Sequence, residues 1–214
     1  MSQREDVMAR LRERRLIAVV RSTAEQVEPV VNALLDGGVD AIEITFSVPN
    51  APAVIAVVKA TFGDRVLLGA GTVRDAQKAD DAIAAGARYV VSPSTDFDVI
   101  KLCNNADVAV APGAFTPTEV EMAWRAGADA VKLFPASIGG IAHLKAIRAP
   151  MPDIPIIPTG GVDVGNAADW LRAGAVALGV GGKLVLKDAL ASGDYAAITA
   201  KAEEFMAAIA EASA

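Results

Sequence analysis

The chain has 214 residues, 53% hydrophobic and 21% charged, which is enough apolar material for the core of one sizeable domain and too much for a disordered segment. Its net charge is −6, with 26 acidic residues against 20 scattered basic ones, so there is no basic stripe for nucleic acid. A single cysteine, Cys103, excludes an internal disulfide and cysteine-rich metal sites, and no apolar run has signal-peptide or membrane-spanning length; a cytoplasmic protein with no membrane partner is expected.

In chain order, residues 4–14 read as a charged lead-in helix with Val7, Met8 and Leu11 on its apolar side, followed by a strand over 16–20. Ser22 and Glu25 read as a capping pair for a helix carrying Val27, Val30, Val31, Leu34 and Leu35, which ends at Gly37-Gly38. A second strand over 39–46, a helix from Asn50 toward Ala60 and a third strand over 66–69 come next. The pattern then repeats. Ala85-Gly86-Ala87, Ala126-Gly127-Ala128 and Ala173-Gly174-Ala175 each stand where a helix stops and an apolar strand begins. Further strands are expected up to Val91, over 107–110, around Val131, over 154–157 and up to Gly179, with Thr116, Pro117 and Glu119 starting one helix and a final helix over 194–210.

Eight strand–helix units, none paired as a hairpin, require parallel strands with helical crossovers. The expected fold is α/β, a TIM (β/α)8 barrel with an N-terminal lead-in helix, as a single domain over residues 1–214. An open doubly wound sheet is the structural competitor. The barrel is preferred because polar residues end several strands and no Gly-x-Gly-x-x-Gly turn is present.

Within that frame, Lys132 sits in the middle of the apolar run 129–135, where an ammonium must be paired, solvated at the strand end or shifted toward the neutral amine. Alternation puts Ala130, Lys132 and Phe134 on one face of the strand, and Ala41, Glu43 and Thr45 on the inward face of strand two. Glu43 and Lys132 then face one another across the barrel, an acid near a desolvated amine, as imine chemistry requires. Gly69-Ala70-Gly71-Thr72 reads as a close backbone approach with a hydroxyl, or as a plain turn. Gly160-Gly161 and Gly181-Gly182, the latter before a short helix, are placed where barrels hold phosphate on backbone N–H groups. Lys183 adds charge there or is merely solvated. His143, Trp124 and Trp170 are read as helix-face or packing residues; with one histidine in the chain, no imidazole metal cluster is possible.

Taken together, Ile42-Glu43-Ile44-Thr45, Gly69-Ala70-Gly71-Thr72-Val73, Val91-Ser92-Pro93, Pro112-Gly113, Val131-Lys132-Leu133-Phe134-Pro135-Ala136 and Pro158-Thr159-Gly160-Gly161-Val162 resemble the 2-keto-3-deoxy-6-phosphogluconate (KDPG) aldolase family, which includes 4-hydroxy-2-oxoglutarate (KHG) aldolases. The resemblance runs from about Leu16 to about Leu190. It implies a class I aldolase needing no cofactor and no metal, usually a homotrimer, acting on a phosphorylated keto acid. On it, Lys132 is the Schiff-base lysine and Glu43 the general acid/base. Thr72, Pro93 and Phe134 line the pyruvyl end, Arg21 lies near the ligand's anionic groups, and Gly160, Gly161, Gly181 and Gly182 hold the phosphate. Many members carry an arginine shortly after the glutamate where this chain has Ser47, so the carboxylate contact falls to Arg21, or to Thr72 and nearby amides. The galactonate epimer and 4-hydroxy-2-oxoglutarate are the alternative substrates. A metal-dependent phosphosugar epimerase and a non-enzymatic barrel are the rivals of another class.

Overall fold

Alternation along each strand sorts the side chains into two cores, one inside the sheet and one beneath the helices, and this sorting curls the sheet. The computed structural model describes residues 2–212. Strands β1 (Leu16–Val20), β2 (Ala41–Thr45), β3 (Leu67–Gly71), β4 (Tyr89–Val91), β5 (Ala109–Ala111), β6 (Gly113–Ala114), β7 (Val131–Leu133), β8 (Ile156–Pro158) and β9 (Leu178–Val180) pair in parallel. Their order is β5-β4-β3-β2-β1-β9 in one sheet and β6-β7-β8 in the other. The two join at both edges, because β5 and β6 are halves of one stave and Thr159, just past β8, bridges to Gly179 in β9.

The expected barrel is therefore present, but its fifth strand is split instead of running over 107–110. Pro112 is the reason: without an N–H it cannot continue the ladder. The stave pairs with β4 before the proline and with β7 after it, and the Pro112 carbonyl accepts the Lys132 N–H at 2.9 Å.

The outer core lies between the strands' outward side chains, among them Ile42, Ile44, Leu68 and Val90, and helices α2 (Ala24–Asp36), α3 (Ala51–Phe62), α4 (Ala76–Ala84), α5 (Phe97–Asn105), α6 (Pro117–Arg125), α7 (Ala136–Arg148), α8 (Ala167–Arg172), α9 (Lys187–Ser192) and α10 (Tyr195–Glu211). Each Ala-Gly-Ala junction ends its helix as expected. The glycines adopt φ of 106°, 97° and 99°, and the residues after them donate back five positions, Ala87 to Ala82, Ala128 to Ala123 and Ala175 to Trp170. The cap of α2 differs from expectation: Thr23, not Ser22, begins the helix, and Gln26, not Glu25, returns to its N–H at 3.2 Å. On α10, Ile198, Ala202, Phe205 and Ile209 are buried as the period implies.

The inner core holds Ile17, Ala41, Leu67, Tyr89, Val91, Ala109, Ala111, Ala130, Ile157 and Ala177. Val7, Met8 and Leu11 of the lead-in helix α1 (Gln3–Arg14) belong to it too, so α1 plugs the N-terminal end of the barrel. Arg4 holds α1 to Asp129 and to the Gly127 carbonyl, and Asp6 pairs with Arg88. With α1 packed into that end, the C-terminal mouth is the end left for a ligand to approach. Among the described residues, no helix is long and apolar enough to cross a membrane.

Candidate active site

The inward positions of β2 and β7 bring Glu43 and Lys132 to the walls of one enclosed cavity, completed by Ile17, Val91, Ala111, Ile157, Thr159 and Gly179. The cavity measures about 10 Å³, room for roughly one water. Glu43 is 2% exposed and Lys132 4%. Burial pushes the Glu43 carboxyl upward from the ordinary carboxylate value, opposed by the positive charges of Lys132 and Arg21. Burial lowers the Lys132 ammonium; Glu43 opposes that shift and Arg21 adds to it. Both groups are thus moved toward their neutral forms. The Lys132 Nζ also lies 5.1 Å from the Phe134 ring centroid, on its face.

Glycines make the room. A Cβ on Gly71 would stand 1.8 Å from Glu43 Oε1, so the carboxyl lies across β3 at that glycine. Expected as a place for ligand to approach backbone, the glycines of β3 instead let side chains from neighbouring strands cross it. Thr72 follows in the left-handed region at φ 58°, half-buried, beside the carboxyl's resting place and outside the walls of the enclosed cavity. Ser47 sits in the turn after β2 and hydrogen-bonds Thr45, whose hydroxyl is 3.2 Å from the Val20 carbonyl.

Next to this cavity a cleft of about 120 Å³ opens between the ends of β8, β9 and β1, lined by Arg21, Phe134, Thr159, Gly160, Gly161, Gly181, Gly182 and Lys183 among others. Period two carries Ile17 and Val19 inward, and Arg21 ends their face at the mouth. Gly160 and Gly161 take φ of 90° and 81°, which only glycine adopts freely, and Gly161 packs against Ser137 so closely that a Cβ would fall 2.7 Å from its Cβ. The short helix expected after the Gly181-Gly182 turn is α9, which starts at Lys187; between them lies a single turn in which Leu184 and Val185 N–H both donate to the Gly181 carbonyl, at 2.8 and 2.9 Å. Such a turn leaves its first N–H groups, those of Gly182 and Lys183, free for an anion.

Pro93 lies on the other side of Phe134, in a third depression of about 310 Å³ shared with Phe97, Gly113, Phe115 and Met122. Phe134 is the wall between this depression and the glycine cleft. His143 stacks on Phe115 at 4.7 Å, its Nε2 2.7 Å from the Phe115 carbonyl, and Trp170 is packed in the outer core. Thr159, which in sequence is one residue of a glycine turn with no role of its own, lines both the enclosed cavity and the glycine cleft.

The family described as "KDPG and KHG aldolase" matches residues 7–201. The chain belongs to that family. A 2-dehydro-3-deoxy-phosphogluconate aldolase of Treponema pallidum is 37% identical over 194 residues, covering 89% of this chain and 91% of the relative. A 2-dehydro-3-deoxy-6-phosphogalactonate aldolase of Escherichia coli is 36% identical, over 79% of this chain and 83% of its own. The crystal structure of a KDPG aldolase from Legionella pneumophila, with pyruvate captured as a covalent carbinolamine, superposes with a TM-score of 0.83 at 29% identity, over 92% of this chain and 95% of that one. The protein is accordingly an aldolase, a carbon–carbon lyase on a TIM-like barrel. In this aldolase the enclosed cavity and the glycine cleft are adjacent and share Thr159 and Gly179, so a ligand held in the cleft borders the cavity that Lys132 and Glu43 line.

Proposed function

We propose that this aldolase reversibly cleaves 2-keto-3-deoxy-6-phosphogluconate to pyruvate and glyceraldehyde 3-phosphate through a Schiff base on Lys132. The reading is carried by a buried amine and a buried carboxyl entering one cavity from opposite staves. Lys132 attacks the C2 ketone as the neutral amine that burial favours. Glu43, protonated at this stage, gives a proton directly or through a water to the departing hydroxyl, and water leaves the iminium behind. The Glu43 carboxylate then takes the C4 hydroxyl proton. The C3–C4 electron pair moves to the iminium, forming an enamine, and glyceraldehyde 3-phosphate departs. Protonation at C3 and addition of water release pyruvate and restore the amine. The face of Phe134 meets the iminium charge.

In this reading Phe134 borders the pyruvyl end, with Thr72 beside Glu43, whereas Pro93 stands behind the Phe134 ring in the neighbouring depression. Gly160, Gly161, Gly181 and Gly182 receive the phosphate with Arg21 beside them, which favours a phosphorylated substrate over 4-hydroxy-2-oxoglutarate. Arg21 then serves the phosphate end, leaving the carboxylate to Thr72 and nearby amides. The galactonate epimer is the second reading, favoured by the 36% identical relative named for it. The protein works in the cytoplasm as a homotrimer, and Phe97 and Met122, half-exposed on the rim of the third depression, are fit for burial against another copy. Sedimentation should give three times the chain mass.

Pyruvate with borohydride should add one stable mass on the peptide containing Lys132, and EDTA should leave turnover unchanged. A tag elsewhere, or no adduct while cleavage persists, defeats the assignment of the Schiff base to Lys132.

A further inference from the structure

Two consecutive inward positions of β3 are glycine, and each is crossed by a polar side chain from a neighbouring strand. At Gly71 it is Glu43 from β2. At Gly69 it is Tyr89 from β4, whose Cζ would stand 2.2 Å from an added Cβ. Gly69 pairs with Glu43 on one side and with Tyr89 on the other, so the three share one register line. The positions crossed are two residues apart, about 6.6 Å along a strand. Neither the Tyr89 hydroxyl nor Glu43 Oε1 has a hydrogen-bond partner among the described residues, although both are buried. Tyr89 is 2% exposed, far from any solvent that would excuse an unmade bond.

We propose that Tyr89 is a positioning residue for Glu43: its phenol donates, through one buried water, to the carboxylate and holds it over Gly71, aimed at the cavity. The inference rests on the Schiff-base reading of the site. A neutral phenol suits the role, because burial first, then the charges of Glu43 and Asp40, keep it from ionising. The other charged groups around the pair are Lys132 on β7 and Arg21 at the end of β1. Below them, Asp40 is held by Arg10 and Arg14 of α1, and Arg88, next to Tyr89, by Asp6. None of these supplies the neutral donor that Oε1 lacks.

Tyr89→Phe keeps the ring across Gly69 and removes only the donor. In the purified full-length enzyme it should lower kcat about three- to tenfold, the worth of one lost hydrogen bond. A donor to the charged form lowers a carboxylate pKa, so its loss should move the acidic limb of the kcat profile upward by roughly half to one pH unit. In a Glu43→Gln background the same substitution should cost nothing further. Borohydride trapping of pyruvate on Lys132 should be retained. If Glu43→Gln is impaired while Tyr89→Phe leaves the acidic limb in place, or if the two losses multiply, the positioning role is wrong and the site reading stands. If Glu43→Gln itself turns over normally, both fall.

Discussion

Charge is used in opposite ways at the two ends of the barrel. At the N-terminal end it is paired and reaches solvent. Arg4 meets Asp129 through two nitrogens at 3.0 to 3.1 Å, Asp129 also accepts the Val110 N–H at 2.8 Å, and Arg88 meets Asp6 at 2.8 Å. At the C-terminal end Glu43 and Lys132 are almost wholly buried, make no ion pair within 4.0 Å among the described residues, and are both driven toward neutrality. A paired, half-solvated charge fastens α1 without changing its chemistry. A buried unpaired one costs stability, and its shift toward the neutral form is what the proposed imine chemistry asks of the amine and the acid.

The contrast fails if substitutions at the two ends have similar consequences. The largest effect should come at the mouth: Glu43→Gln should lower turnover by about two to four orders of magnitude with little change in thermal stability, the range for a positioned proton-transfer group. Near-normal turnover would reduce Glu43 to a structural group. Next is the glycine cleft. Gly182 has open space where its Cβ would stand, so Gly182→Val should fold normally while raising KM for the phosphorylated substrate about tenfold, or about 1.4 kcal/mol. It should leave pyruvate adduct formation unaltered, and an equal loss with an unphosphorylated substrate would remove phosphate from this cleft. Gly161→Val is the harsher change, since φ of 81° and Ser137 both oppose it, and it should fall first on folding.

The plugged end should show the reverse pattern. Asp129→Ala strands the Val110 N–H and the Arg4 guanidinium, at a cost of about 2 kcal/mol. In a chain of this length that is roughly 4–8 °C in Tm, with kcat held within about twofold. Smallest is Arg88→Ala, whose partner Asp6 is 40% exposed; it should cost under about 1 kcal/mol. A larger kinetic than thermal effect at either position would mean that α1 does more than close the barrel.

Much of this was legible in the chain because it is local. Period two alone puts Glu43 and Lys132 on inward faces, and the Ala-Gly-Ala junctions announce where helices turn left-handed and strands begin. Capping is local as well, and Thr116 with Glu119 was readable where Thr23 with Gln26 was mistaken by one position. The Pro112 break was visible as a proline, but not which neighbour each half would choose. The glycine turn before a short helix is legible too, although the helix begins only at Lys187.

What the tertiary structure decided is whatever depends on one stave lying beside another. Thr159 becomes a wall of both pockets only because its bridge to Gly179 closes the ring. Gly69 and Gly71 look in sequence like an invitation to ligand; in the barrel their missing side chains are filled by Tyr89 and Glu43 from either side. The sequence determined the faces, the junctions and the chemical character of the amine and acid, because alternation and capping act over a few residues. Which side chain crosses which glycine, and whether a buried oxygen finds a partner, is set by register and closure, which no local stretch encodes.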